Sequence, residues 1–123
     1  MNKDKILRKS EDFSKIIENQ QYFKNKYFSL YYKESNTTLF GITVPKKVGH
    51  AVLRNKLKRQ TKNIISNNEK YIQPNYNYVI IIKEPALKLD YAGLTNNLLD
   101  LLKKVGTKWK KEKLLFYYYV SFF

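Results

Sequence analysis

Pro45 to Lys62 reads PKKVGHAVLRNKLKRQTK. One Pro and one Gly open it, and no further breaker follows. Leu53, Leu57, Ile64 and Ile65 recur at helical spacing with Thr61 filling the gap, which predicts an amphipathic helix with one face on a core. Arg54, Lys58 and Lys62 fall four residues apart and stack in one line, with Asn55 and Arg59 in a second line beside it. Lys46, Lys47, His50 and Lys56 extend a surface that meets no acid until Glu69. A merely solvated helix face ordinarily mixes Glu with Lys, because opposite charges four apart attract and like charges repel. Unrelieved like charge predicts an anion opposite the helix, and an RNA or DNA backbone is the obvious one.

The whole chain carries the same sign. Its 24 Lys and Arg against 10 Asp and Glu give a net charge of +14. A small domain that basic predicts a polyanionic partner, nucleic acid or an anionic membrane surface. At 123 residues the chain fits one domain spanning 1–123, with a core of about 6–105 and a basic, aromatic tail at 106–123. An apolar share of 43% predicts a globular rather than a disordered chain. The absence of cysteine excludes disulfides and thiolate metal sites and fits a reducing cytoplasm. Met1 to Ser10 is charged and lacks the apolar segment of a signal peptide, and the longest aliphatic run, Val79 to Ile82, is far too short to span a bilayer. The expectation is a cytoplasmic protein with no membrane partner.

In chain order, Met1 to Lys9 reads as a basic arm. Ser10 reads as an N-cap with Glu11 and Asp12 in the first turn, and Phe13, Ile16 and Ile17 as the apolar stripe of a helix reaching Asn19. Lys26 to Tyr32 (KYFSLYY) partly alternates, predicting a strand with Phe28 and Leu30 inward and Tyr27, Ser29 and Tyr31 on the other face. ESNTT at 34–38 reads as a turn, and Leu39 to Val44 as the next strand, pairing with the first as an antiparallel hairpin. Gly41 within it predicts a bulge or a close approach to the backbone. Gly49 permits the turn into the central helix. Beyond the break at Gln73-Pro74-Asn75, Tyr76 to Lys83 (YNYVIIIK) predicts a central strand buried on both faces. Asp90 is a plausible N-cap for a last helix whose stripe is Leu94, Leu98, Leu101, Leu102 and Val105, ending near Lys104 with a stop at Gly106. The tail LLFYYYVSFF is intensely aromatic. Helix, two or three strands, helix, strand, helix makes an α+β sandwich around one sheet.

GITVPKKVGHAVLRNKLKR, Gly41 to Arg59, resembles the signature of the bacterial ribonuclease P protein subunit. LRKSEDFSKII ahead of it, FSLYY on a strand, YVIIIKEPA after the helix and the final leucine-rich helix sit at matching positions, so the resemblance covers about Ile6 to Lys104. It implies a two-layer α+β sandwich: one mixed sheet of about four strands with helices packed on it, in the order α-β-β-β-α-β-α, with a left-handed βαβ crossover around the central helix. It also implies the protein subunit of a ribozyme, whose RNA performs the Mg²⁺-dependent removal of the 5′ leader from precursor tRNA. The implied partners are ribonuclease P RNA and precursor tRNA, with one protein per RNA and Mg²⁺ bound mainly through the RNA. Carried onto this chain, the set facing the RNA subunit is Lys46, Lys47, Arg54, Asn55, Lys56, Lys58, Arg59 and Lys62. The leader cleft, between the sheet and the first helix, uses Phe13, Ile17, Tyr27, Ser29 and Tyr31. The chain departs from the family's usual Arg-Asn-Arg at Lys56, which keeps the charge but not the planar fork. His50 stands where Asn is usual, and Lys62 where Arg is common.

No protein-borne catalysis is expected. The acids are scattered and the lone His50 cannot supply an acid–base pair. Ordinary strand tyrosines at Tyr27 and Tyr31, and core packing at Phe13 and Ile17, are the plain readings of the cleft residues. The rival functional classes are a basic RNA binder of another kind, such as a ribosomal protein, and a membrane-surface protein using the aromatic tail.

Overall fold

The computed structural model describes residues 5–7 and 9–121, the side chains of 118, 119 and 121 apart. Most of the N-terminal arm, including Arg8, and the last two tail residues lie outside the described residues. The elements are α1 (Ser10–Glu18), β1 (Tyr22–Lys24), β2 (Phe28–Glu34), β3 (Phe40–Thr43), α2 (Ala51–Asn67), β4 (Tyr76–Ile82) and α3 (Tyr91–Ser121), so the predicted order of elements is found.

The strands form one mixed sheet in the order β1-β2-β4-β3. β2 and β3 do not pair with each other, contrary to the expected hairpin: β4 lies between them, antiparallel to β2 and parallel to β3. The physical reason is the apolar run of β4, which gains most from a central position where both faces are covered. The connection from β2 to β3 crosses the start of β4 and is bonded to it. Asn77 Oδ1 accepts from the Thr37 hydroxyl and the Leu39 N–H, at 2.9 and 3.0 Å. The hairpin that does form joins β1 to β2, where Asn25 Oδ1 accepts the N–H groups of Tyr27 and Phe28.

Period two then sorts the side chains. Phe28, Leu30 and Tyr32 of β2, Tyr76, Tyr78, Ile80 and Ile82 of β4, and Phe40 of β3 face α2 and α3 in the larger core. Tyr32, Tyr78 and Phe40 are register neighbours across three strands, and the Phe40 and Tyr78 rings stack at 5.1 Å. Tyr78 is fully buried with its hydroxyl donating to the Gln73 carbonyl, and burial pushes that hydroxyl well above the usual tyrosine range. The other face carries a smaller cluster of Leu7, Ile16 and Val79, with Phe13, Ile17, Tyr31, Leu39 and Ile81 packed around it. α1 therefore covers part of the sheet face opposite α2 and α3. Ile6 bridges Phe40 and the Leu7 N–H bonds to its carbonyl, so this part of the arm is seated beside the β3 edge.

Gly41 marks a close approach, one of the two alternatives predicted. A Cβ built there would stand 2.5 Å from Cζ and 2.6 Å from Cε1 of Phe13, so the Phe13 ring lies on bare backbone. Ser10 is the first helical residue rather than the cap; Lys9 occupies that position with no side-chain bond. Asp90 Oδ1 accepts the Gly93 N–H at 2.8 Å, the cap contact expected of it.

α3 does not stop at Gly106 but continues to Ser121. Glycine inside a helix costs only about 1 kcal/mol relative to Ala, Gly106 does not adopt the left-handed conformation of a helix stop, and no Pro follows. Residues beyond it dock the helix: Trp109 packs against the larger core, and Lys108 Nζ donates to the Tyr32 hydroxyl at 3.1 Å. Side chains from Lys110 through Tyr117 are exposed.

Two substitutions test this packing. An added Cβ at Gly106 meets nothing nearer than Gln73 Oε1 at 4.0 Å, so Gly106→Ala should stabilise the domain by about 1 kcal/mol in chemical denaturation. Gly41→Ala should destabilise it by about 1–3 kcal/mol, because the Phe13 ring must be displaced.

Candidate nucleic-acid interface

The basic surface begins where β3 ends. Pro45 leads into a single 3-10 turn, Lys46–Val48, that buries Val48 and leaves Lys46 and Lys47 exposed. The Arg54 Nε–H donates to the Gly49 carbonyl at 3.2 Å, so Arg54 ties the first turn of α2 to this loop. Leu57, Thr61, Ile64 and Ile65 are buried against the core, and the Thr61 hydroxyl is satisfied by the Leu57 carbonyl at 2.8 Å. Leu53 departs from the predicted stripe: it is 40% exposed beside the exposed Val52, because the first turn of α2 makes little contact with the sheet. Asn55, Lys56 and Arg59 are exposed, and Arg54, Lys58 and Lys62 half-buried. The ion pairs found among the described residues, Lys5–Glu69, Lys104–Asp100 and Lys108–Glu112, use none of the cations of α2. The like charges predicted along α2 thus stand together without an acidic partner among the described residues.

The second candidate surface lies between α1 and the sheet. Phe13, Ile17 and Tyr31 are half-buried there, and Ser29, in register with Lys24 of β1, is buried. Tyr27 is not with this group. It packs at the margin of the larger core and lines a groove with Lys26, Glu84, Pro85, Lys88 and Leu89. The alternation that put it beside Ser29 fails because Tyr27 belongs to the β1–β2 turn, ahead of β2. Tyr22 was missed from sequence: it pairs with Tyr31 across the hairpin, ring centroids 5.4 Å apart, and is 45% exposed. Only the β1–β2 register could have revealed it.

Register also fixes which end of this surface is basic. Lys24 pairs with Ser29, Ser29 with Ile81, and Thr43 with Ile81. Lys24, Lys83 and the loop carrying Lys46 and Lys47 therefore gather at one end of the sheet. Lys83 Nζ donates to the Asn25 carbonyl at 2.8 Å, and burial, aided by the nearby Lys24, lowers its pKa. Among the described residues no three His, Cys, Asp or Glu side chains converge in a group that could hold a metal ion.

The chain's likenesses point to one family. The family model described as Ribonuclease P matches residues 1–106. The ribonuclease P protein component of Mycoplasma mycoides is 35% identical over 85% of this chain and 99% of its own length. That of Listeria monocytogenes is 34% identical over 91% of this chain and 96% of its own. The RNase P protein from Thermotoga maritima superposes with a TM-score of 0.75 at 30% identity, covering 80% of this chain and 94% of that one. The Staphylococcus aureus RNase P protein does so with a TM-score of 0.76, 28% identity and coverage of 82% and 94%. None of these favours the ribosomal reading. With a match spanning most of the chain and relatives covered almost end to end, the chain belongs to the family of bacterial ribonuclease P protein components.

Proposed function

We propose that this protein subunit of ribonuclease P works through two surfaces, one for the catalytic RNA and one for the precursor's leader. Lys46, Lys47, Arg54, Asn55, Lys56, Lys58, Arg59 and Lys62 bind ribonuclease P RNA. The observation that carries this is the acid-free face of α2, whose cations have no ionic partner among the described residues. Lys and Arg on phosphates release counterions and give affinity with little sequence information. The leader of precursor tRNA lies in the cleft under α1, against Phe13, Ile17, Ser29 and Tyr31. Tyr22 adds a second exposed ring, and Tyr27 stands outside this path. Aromatic faces stack on any unpaired base, which suits a strand of variable sequence. A strand leaving the cleft at its Lys24–Lys83 end arrives beside the loop that opens α2. Hydrolysis of the leader bond belongs to the RNA, with Mg²⁺ bound mainly through it, in a cytoplasmic complex of one protein and one RNA.

Reconstitution tests the reading directly. Leader removal from a precursor tRNA at low Mg²⁺ should require both this protein and a bacterial ribonuclease P RNA. Absence of stimulation with several such RNAs, despite binding, would overturn it.

The two surfaces should also separate by mutation. Arg59→Ala should weaken RNA-subunit binding and reduce the salt slope by about one, leaving stability unchanged. Arg54→Ala should do the same and in addition destabilise the fold, because it loses the bond to Gly49. Tyr31→Ala should cost about 1–3 kcal/mol of precursor affinity and leave RNA-subunit binding intact. Titrations against each RNA separately would check all three.

A further inference from the structure

At the far end of α2 the chain turns through a 3-10 segment, Glu69–Tyr71, that packs against α3. Between them is an open groove of about 370 Å³ lined by Lys70, Tyr71, Gln73, Lys103, Gly106 and Lys110, with Ile72 and Thr107 completing it. No acid lines it. The neighbouring Glu69 is bonded to Lys5 at 2.8 Å, which holds its carboxyl below the usual range. Lys70 and Lys103 both stand over the single Tyr71 ring, at 5.0 and 4.5 Å from its centroid. Two ammonium groups on one ring repel each other, and the ring's attraction for each is what gathers them. Gly106 gives the groove a bare wall, since nothing but Gln73 Oε1 lies within 4.0 Å of where its Cβ would be.

Resting on the reading above, we propose that this groove is a second site for ribonuclease P RNA, holding its phosphodiester backbone between Lys70, Lys103 and Lys110. A cluster of cations without an acid, preorganised by an aromatic ring and open to solvent, is built for a phosphate. The groove adjoins the C-terminal end of the same helix whose face carries the first RNA surface, roughly 25 Å from that helix's start at 1.5 Å per residue. One structured RNA can therefore engage both. Lys110 lies just beyond the residues that the family model matches.

The test uses the full-length protein and a bacterial ribonuclease P RNA over a range of salt. Lys103→Ala and Lys110→Ala should each lower affinity several-fold and reduce the salt slope by about one. Lys104→Ala and Lys111→Ala, on the same helix but outside the groove, should change affinity less than about twofold, since one is ion-paired and neither faces the site. Gly106→Leu keeps every lysine and fills the groove, and should also weaken binding. Thr107→Cys in this cysteine-free chain, carrying a tethered iron chelate, should cut the RNA at a defined place. If the wild type activates the RNA while the groove variants bind it like the wild type and the cuts are absent, the second site is overturned and the two-surface reading stands. If the wild type activates no such RNA, the two-surface reading itself has failed. Unchanged RNA binding with lost binding to phosphatidylglycerol vesicles would overturn the proposal in favour of a membrane surface.

Discussion

The burial of β4 on both faces is the constraint from which the rest follows. Tyr78, Ile80 and Ile82 need a cover on one side of the sheet, Val79 and Ile81 on the other. Fully burying one such aliphatic side chain is worth about 1.5–3 kcal/mol, so neither side can be left to water. α2 and α3 supply one cover. The other falls to α1, which has nine residues and is therefore only about 13 Å long. It packs on β2 and β4 and leaves Tyr31 half-buried and Tyr22 exposed. The cleft is thus what remains when a short helix covers a four-stranded sheet. Gly41 sets its depth by letting Phe13 rest on the backbone of β3.

The same economy of core explains how α2 tolerates its charge. Leu57, Thr61, Ile64 and Ile65 hold the helix to the sheet from its second turn onward, so its first turn can project with Val52, Leu53 and Asn55 exposed. Repulsion between exposed like charges four apart costs only tenths of a kcal/mol per pair, well below what the buried stripe contributes. The fold can therefore carry an acid-free face, and the repulsion becomes available to a polyanion that neutralises it.

What was legible in the sequence was what depends on neighbours along the chain. The period of α2, the double burial of β4, the stripe of α3 and the cap at Asp90 are local patterns, and the structure has them, Leu53 of the α2 stripe apart. Strand order is not local. Nothing between Lys26 and Val44 says that a strand some forty residues later will part the two it contains, and the bond from Leu39 to Asn77 exists only once it has. The length of α3 was misread because a glycine's helix penalty is small beside the docking of Lys108 and Trp109, contacts made across the fold. Tyr27 and Tyr22 exchanged places for a related reason. Which residue opens β2 is set by the Asn25 turn, and one residue's shift moves a side chain from one environment to another.

The two surfaces proposed to face RNA differ in kind as their proposed ligands do. A folded catalytic RNA presents a fixed array of phosphates, which a rigid row of cations on α2 can match at a distance set by the helix repeat. A single strand presents no fixed array, so charge alone would hold it without placing it. The cleft offers rings and a buried Ser29 instead, with its cations, Lys24 and Lys83, confined to the end nearest the Lys46–Lys47 loop. In the proposed complex a strand would be drawn by charge toward that end and aligned by stacking along the rest. Parallel pairing of β3 with β4 is what makes this possible: it brings the exit of β3, where the basic loop begins, to the same edge as the exit of β4, where Lys83 stands.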